Sequence, residues 1–278
     1  MIDLHLHTTA SDGRCSPGEL AGRAVAAGLR TVSVTDHDTV AAIDEVRAAA
    51  PSLRVVAGIE ITAVADGRDV HILGYFIDHH SPVLAAFLEK QRALRVERVR
   101  EIARRLEALG APVDVDRILV PAARHPGRSG GRPLLAHALV EAGYVATAQE
   151  AFDRYLAHGQ AAFVPRTGRS PARVVRTIHD AGGVASFAHP GVTRKDTLLE
   201  TLVEDGLDAV EVYHSEHDAH AVARYLALAT RHGLAVTGGS DYHGEIDGGY
   251  GRRVLAGVTL PPEHFEALEA RARHRVSG

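Results

Sequence analysis

Histidine and carboxylate side chains recur at or near the ends of short apolar segments along the 278-residue sequence. Two pairs are separated by a single residue, His5 with His7 and Asp241 with His243. Alternate side chains of a β-strand share a face, so His5 and His7 should point the same way. Nine candidate metal ligands occupy such positions: His5, His7, Asp12, His37, Glu60, His71, His189, Asp241 and His243. The six histidines among them belong to an unusually high total of 18.

The residue types of these ligands indicate the chemistry. Imidazole nitrogens and carboxylate oxygens together suit Mn, Fe or Zn. Nine ligands exceed the needs of one ion, so we expect two or three divalent ions that share a bridging carboxylate. Closely spaced ions lower the pKa of a bridging water and stabilise the oxygens of an in-line displacement, which indicates hydrolysis. Each motif alone is compatible with ordinary histidines, but their joint position at strand ends favours a metal site.

Other catalytic classes lack their motifs here. The sequence contains no G-x-x-x-x-G-K-[ST] loop, no G-x-S-x-G motif and no G-x-G-x-x-G after the first strand. Cys15 is the only cysteine and is expected to be incidental, and a single cysteine favours a reducing, cytoplasmic compartment. The first residues have no pattern of a secretory signal, and no apolar run is long enough for a membrane helix. We therefore expect no membrane partner and no obligate protein partner.

Elements that could position these residues alternate along the chain. Short segments rich in Val, Ile and Leu are separated by segments of helical periodicity, which predicts an α/β fold with a mostly parallel sheet. We expect strands at 1–7, 31–36, 54–61, 70–76, 183–189, 209–214, 234–241 and 255–260. We expect helices at 17–28, 39–50, 170–182, 197–206, 220–233 and after Pro262. Seven or eight strands fit a TIM-like barrel, whose active sites lie at the carboxyl ends of the strands.

The alternation stops between residues 79 and 165, where the pattern predicts only helices, at about 82–110, 133–143 and 147–158. This part carries 12 Lys and Arg against 9 Asp and Glu, a net +3, whereas the rest carries 19 against 26, a net −7. We therefore predict a barrel in two parts, 1–78 and 166–278, and a basic helical insertion, 79–165, that caps the substrate. Chance clustering of charge on a solvated face is the alternative.

The order of the motifs resembles the polymerase and histidinol phosphatase (PHP) superfamily of metal-dependent phosphoesterases: HLHTTASDG, TDHDT, GIE, VHILGY, FAHP and SDYH. In the insertion, R-x-x-R spacing, GRP and FDRYL are similar to one branch. Members of that branch hydrolyse nucleoside 3′,5′-bisphosphates and shorten RNA from its 5′ end. The resemblance implies a distorted (β/α)7 barrel with a trinuclear centre, usually of manganese or iron.

The resemblance also distributes the ligands among three ions. The first ion would bind His5, His7, Glu60 and Asp241. The second would share Glu60 and add His71 and His189. The third would bind Asp12, His37 and His243. Asp36 and Asp38 would fix imidazole tautomers.

The same resemblance implies a phosphate-binding set, namely Arg98, Arg100, Arg132 and Tyr155. Guanidinium groups bind phosphate in a bidentate manner, which explains arginine at these positions. The insertion departs from the branch at Val99, Leu134 and His137, where asparagine, a polar residue and arginine are common. All nine metal positions match the family, so the departures concern the substrate.

The predicted function is a metal-dependent phosphoesterase for phosphate monoesters of nucleotides. Nucleoside 3′,5′-bisphosphates and short 5′-phosphorylated RNA or DNA oligonucleotides are the expected substrates, with Mn as the first choice of metal and Fe or Zn as others. An activated water would attack phosphorus, and His37, His189 or His243 would protonate the leaving oxygen with the help of Asp12. The alternatives are a histidinol-phosphate-type phosphatase and a non-catalytic metal-binding or nucleic-acid-binding module.

Overall fold

Seven strands form a nearly closed barrel in the computed structural model, which describes residues 1–124, 131–193, 196–244 and 253–276. They are β1 Ile2–Leu6, β2 Thr31–Val34, β3 Arg54–Ala65, β4 Arg68–Tyr75, β5 Val184–Phe187, β6 Ala209–His214 and β7 Ala235–Gly239. The strands neighbour one another in chain order. Beyond β7, the carbonyl of Tyr242 accepts a hydrogen bond of 3.0 Å from the His7 amide, so the last strand comes round to the first. The predicted TIM-like barrel is confirmed.

One strand distorts the barrel by running against its neighbours. β4 pairs antiparallel with both β3 and β5, whereas the other neighbouring strands are parallel. The two residues between β3 and β4, Asp66 and Gly67, have φ angles of 50° and 71°. Positive φ at both positions of a two-residue turn is the conformation that Asp-Gly favours in hairpins. The turn therefore fixes the strand that carries His71.

Helices cover the outside of the barrel. They are α1 Pro17–Ala26, α2 Ile43–Ala49, then, beyond the insertion, α7 Pro171–Asp180, α8 Pro190–Thr193, α9 Thr197–Glu204, α10 Ala219–His232 and α11 Pro262–Val276. α1 starts with a capping box in which Ser16 and Glu19 bind each other's backbone amides. Beneath the helices, the barrel buries apolar side chains such as Ile59, Ile72 and Phe187.

The insertion is helical, as predicted. It comprises α3 Pro82–Ala108, α4 Val115–Arg124, α5 Arg132–Glu141, α6 Ala148–Ala151 and a π-helical turn at Phe152–Leu156. These helices bury an apolar cluster of their own around Ile102, Leu106 and Leu139, so they pack as a unit beside the barrel. Within the described ranges, no helix is both long and apolar enough to span a bilayer.

The eighth predicted strand, 255–260, is wrong. The segment forms turns, in which the Gly257 amide donates to the Val254 carbonyl at 2.8 Å and Ala256 has a φ of 58°. Its backbone therefore bonds partly to itself, while the Leu260 amide donates to the carbonyl of Ile2 and the Ala256 amide donates to the Asp3 side chain of β1. An apolar composition alone does not supply the edge with which a strand must pair.

Candidate active site and metal centre

The nine predicted ligands lie together at one end of the barrel. His5 lies in β1 and His7 directly follows that strand, and Glu60 and His71 belong to β3 and β4. The others follow β1, β2, β5 and β7 in loops: Asp12, His37, His189, Asp241 and His243. Each ligand has a nitrogen or oxygen atom within 3.5 Å of another member's. The predicted set is thus brought into one cluster, which we call the ligand cluster.

Glu60 is the centre of the ligand cluster. Its Oε1 lies 2.7 Å from His71 Nδ1 and 3.1 Å from His189 Nε2. Its Oε2 lies 3.2–3.3 Å from nitrogens of three further rings, those of His5, His7 and His37. A carboxylate that faces different imidazoles with its two oxygens has the geometry of a bridge between ions.

The other two carboxylates extend the ligand cluster in two directions. Asp12 Oδ1 lies 3.3 Å from His243 Nε2, and Asp12 Oδ2 lies 3.6 Å from His37 Nε2. Asp241 Oδ1 lies 3.2 Å from His7 Nε2 and 3.4 Å from His243 Nδ1. His7 and His243 therefore connect the two carboxylates.

Three overlapping groups of ligand atoms are compact enough to surround an ion. One consists of His5, His7, Glu60 and Asp241 and equals the set expected for the first ion. A second consists of Asp12, His37 and His243, as expected for the third ion, together with His7. The remaining group contains Glu60 and His71 with His37 instead of His189. His189 reaches Glu60 but stands outside that compact group.

Unpartnered ring nitrogens show that the ligand cluster fits metal ions. Both ring nitrogens of His7, and Nδ1 of His37, His71 and His189, are buried and make no hydrogen bond of normal geometry, although Glu60 oxygens lie close to several of them. Buried polar atoms are nearly always satisfied in folded proteins. Nitrogen lone pairs beside carboxylate oxygens are the donors that Mn, Fe and Zn accept. The residues present therefore fit divalent ions.

The electrostatics of the ligand cluster favour the same conclusion. Burial opposes ionisation of Glu60, but the imidazoles that face it outweigh burial and hold the pKa of this carboxyl well below its usual range. Burial lowers the pKa of His37 to about 3 despite the facing carboxylates, so its ring stays neutral. Against burial, Asp241 and Glu60 raise the pKa of His7 to about 10. The carboxylates thus stabilise positive charge close to them, and a divalent ion would supply such a charge.

The residues that hold the ligands differ from those expected. Asp36 accepts hydrogen bonds from the Thr8 amide and hydroxyl and from Ser11, and Asp38 binds Arg95 and the Thr62 amide. Among the described contacts, neither carboxylate accepts a hydrogen bond from an imidazole, so the role of Asp36 and Asp38 in fixing imidazole tautomers stays a prediction.

Glu211 and His214 of β6 contact ligands instead. Glu211 Oε1 lies 2.8 Å from His5 Nδ1, and His214 Nε2 lies 3.2 Å from Asp241 Oδ2. The one sequence signal for Glu211 is a charged residue between two valines of a buried strand.

Strained backbone recurs around the ligand cluster. Asp38, His189 and Asp241 have φ angles of 53°, 28° and 52°. Residues other than glycine adopt such angles at a cost of about 1–3 kcal/mol, and these conformations gather at functional sites. Surrounding contacts must hold the strained residues in place.

A cleft of about 920 Å³ opens above the ligand cluster, between Asp12, His37 and His71 on the barrel and the helices of the insertion. Five arginines line it: Arg117, which lies 3.5 Å from Glu141, and a group of four made of Arg95, Arg98, Arg132 and Arg166. Burial and the neighbouring Arg166 lower the pKa of Arg95 to about 9 and that of Arg98 to about 10. Cations this close to one another would be stabilised by a bound anion, although Arg95 also pairs with Asp38 and Arg166 lies 3.5 Å from Asp69. We call this side of the cleft, formed by the group of four, the arginine wall.

Two members of the predicted phosphate-binding set, Arg98 and Arg132, belong to the arginine wall. Arg98 Nε donates to the Val164 carbonyl at 2.9 Å, and Arg132 lies over the rings of Phe152 and Phe163. These contacts hold the two guanidinium groups at the cleft.

The other two predicted residues, Arg100 and Tyr155, lie elsewhere. Arg100 is exposed and lines a separate surface hollow with Arg104, because a residue two positions on lies about 200° around a helix. The Tyr155 hydroxyl accepts a hydrogen bond from Arg154 at 3.1 Å, and its ring packs on the insertion's apolar cluster. Neither is among the residues that line the cleft.

Arg95 and Arg166 complete the wall without having been predicted. Arg95 lies one helical turn before Arg98, so the i, i+3 spacing is a usable signal. Arg166 follows the insertion and has no comparable local signal.

An apolar surface lines another part of the cleft. It includes Val113, Ile118, Leu134 and Ala138, with His137 nearby. Two of the departures from the family branch, Leu134 and His137, therefore face the cleft. The third, Val99, is 1% exposed and belongs to the insertion's apolar cluster.

A further group of possible ligands lies on the surface, made of Asp44, His79 and His80. There the Arg47 guanidinium lies 3.5 Å from Asp44 Oδ1 and 3.3 Å from His79 Nε2. Asp44 thus already has a cationic partner in Arg47, so we interpret this group as a surface ion-pair network and not as a metal site.

Comparison with known proteins places this geometry in a family. The PHP domain model matches residues 3–124. A 5′-3′ exoribonuclease of Haemophilus influenzae is 36% identical to the chain over 87% of the chain and 89% of that protein. The chain belongs to the PHP family. A 3′,5′-nucleoside bisphosphate phosphatase of Chromobacterium violaceum is 35% identical over 97% of both chains.

A solved structure shares the whole fold. A protein of Bifidobacterium adolescentis assigned as a metal-dependent phosphoesterase superimposes with a TM-score of 0.82 and 32% identity, over 97% of this chain and 96% of that one. The chain is therefore a metal-dependent hydrolase of phosphoric esters, and the predicted enzyme class is confirmed.

Proposed function

We propose that this PHP enzyme removes phosphate from nucleotides, with nucleoside 3′,5′-bisphosphates and short 5′-phosphorylated oligonucleotides as substrates. The observation that carries the proposal is the position of the arginine wall directly beside the ligand cluster in one cleft. One anionic group can be hydrolysed at the cluster while guanidinium groups hold another, which suits a substrate with more than one phosphate. The named activities of the two relatives support this choice.

The ligand cluster would hold two or three divalent ions in the overlapping groups described above, with Glu60 as the bridge. We propose manganese, with iron or zinc as alternatives, because the donors are imidazole and carboxylate. When bound, such ions activate water and neutralise phosphoryl oxygens. The chain's own residues orient the ester: Arg98 and Arg132 bind phosphate, and His189 or His243 protonates the leaving oxygen. The lowered pKa of His37 leaves its ring neutral and removes it from the three expected proton donors.

A substrate panel with added Mn²⁺ tests the proposal. Release of phosphate from nucleoside 3′,5′-bisphosphates should far exceed release from histidinol phosphate and simple monoesters, and 5′-phosphorylated oligonucleotides should shorten stepwise. Preference for histidinol phosphate would contradict the nucleotide assignment. The variants Asp12→Ala and His189→Ala should remain folded and lose activity. Full activity of either variant would contradict the proposed ligand roles.

A further inference from the structure

Glu211 is a buried charge that the proposed reaction does not use. It lies in β6 between Val210 and Val212 and has no exposed surface. An ionised carboxylate in such a place is costly unless hydrogen-bond donors and cations satisfy it. His5, His214 and His189 overcome the effect of burial and lower the pKa of Glu211. The partners of the two carboxylate oxygens therefore show how this buried charge is stabilised.

The first oxygen sets the ring of His5. Glu211 Oε1 lies 2.8 Å from His5 Nδ1, so this nitrogen carries the proton and donates it. The opposite nitrogen, Nε2, then presents its lone pair to the ligand cluster, 3.2 Å from Glu60 Oε2. Carboxylates that accept the outer N–H of a metal-binding histidine fix its tautomer and ring orientation.

The second oxygen holds the backbone just after the neighbouring strand, β5. The His189 amide donates to Glu211 Oε2 at 2.7 Å, at a residue whose φ is 28°. His189 Nε2 lies 3.1 Å from Glu60 Oε1. One carboxylate on β6 thus orients a ligand after β5 and a ligand in β1.

We propose that Glu211 is a positioning residue of the metal centre, which holds His5 and His189 ready to bind ions on the two sides of Glu60. The inference rests on the proposed ligand sets. It assigns Glu211 no contact with substrate and predicts an effect on metal affinity before any effect on substrate binding.

The test is Mn²⁺ titration of metal-free protein by calorimetry, without substrate. Glu211→Gln keeps the shape of the side chain but has one acceptor oxygen, so either His5 or the His189 amide loses its acceptor. We expect Mn²⁺ affinity to fall by about 10- to 100-fold, the usual effect of removing such a partner. Glu211→Asp keeps the charge but is one methylene shorter and should also bind Mn²⁺ more weakly.

Asp208 provides a matched control three residues earlier. Its Oδ2 lies 2.8 Å from His179 Nε2 and accepts a hydrogen bond from the Ala185 amide, as Glu211 does for its own histidine and amide. Asp208 also binds Arg275 of α11, among residues outside the ligand cluster. Asp208→Asn should therefore lower the melting temperature in EDTA and leave Mn²⁺ affinity unchanged.

The outcomes separate positioning from mere support of the fold. Weaker Mn²⁺ binding by the Glu211 variants, with a melting temperature in EDTA no lower than that of Asp208→Asn, supports the proposal. Unchanged Mn²⁺ affinity overturns it, as does unfolding of both Glu211 variants in EDTA at 25 °C. Since no substrate is present, the result stands even if nucleotides prove to be the wrong substrates.

Discussion

The ligand cluster and the arginine wall meet in one cleft, but the chain builds them differently. The ligands come from strands or from short loops after them, and three carboxylates gather six imidazoles. The arginines come from one face of α3, the start of α5 and a segment after the insertion. Strand alternation fixes the side on which a residue points, whereas the useful face of a helix depends on where the helix packs. The cluster is therefore the more rigidly specified half.

The largest expected effect comes from breaking the centre of the ligand cluster. Glu60→Gln removes the charge that faces five imidazoles, so the protein should lose bound metal. Bound ions contribute several kcal/mol to stabilising the transition state, so phosphate release should fall by at least about a thousandfold. Phosphate assays and metal analysis after dialysis measure the two losses.

The control for Glu60 is Glu263→Gln, at an exposed position in the first turn of α11. It should keep both metal and activity. Wild-type turnover by Glu60→Gln, or by the native enzyme in a strong chelator, would show that the ligand cluster is not the catalytic half.

A smaller effect should separate two arginines of the same helix. Arg98→Ala removes a guanidinium group of the arginine wall and should raise KM for a nucleoside bisphosphate about 10- to 100-fold, since a hydrogen bond to a charged group contributes roughly 1.5–3 kcal/mol. Arg100→Ala, two residues away in the other hollow, should leave KM unchanged. An equal rise in KM for both variants in steady-state kinetics would contradict the assignment of phosphate binding to the Arg98 face of α3.

The pH dependence should also differ between the two halves. Protons compete with metal ions at His7, whose pKa is raised to about 10, so Mn²⁺ affinity should rise with pH, by about tenfold per unit for each proton released. The pKa of Arg98 is about 10, so this residue stays charged from pH 6 to 8. Sulfate binding to metal-free protein should therefore be flat over that range. Calorimetry of both ligands checks the contrast, which parallel pH curves would contradict.

The smallest effect concerns the apolar side of the cleft. Leu134→Ala removes part of a side chain that is 38% exposed. Loss of this contact surface should raise KM for a nucleoside bisphosphate about fivefold or less, and kcat should not change. A simple phosphate monoester without a base serves as the comparison substrate and should show no change. A fall in kcat would instead connect Leu134 with the reaction itself.

The sequence predicts the ligand cluster well because strand alternation and parallel pairing are local rules. His5 and His7 illustrate the first rule, and the recurrence of ligands after successive strands illustrates the second. Glu211 escaped prediction because its partners, His5 and His189, lie 206 and 22 residues earlier in the chain. Arg100 was assigned to phosphate because a motif match does not state which face of a helix is covered. The segment 255–260 was read as a strand because composition does not reveal a missing partner.

The place where the insertion leaves the barrel has an evolutionary consequence. Tyr75 at the end of β4 is paired with Val184 at the start of β5, so the chain departs and returns at two directly opposed residues. The cost of closing a loop grows only slowly with its length. The insertion between these two points can thus be lengthened, shortened or exchanged without moving a ligand out of register. Descendants of one ancestral hydrolase could acquire new substrates by replacing the cap while inheriting the metal centre intact.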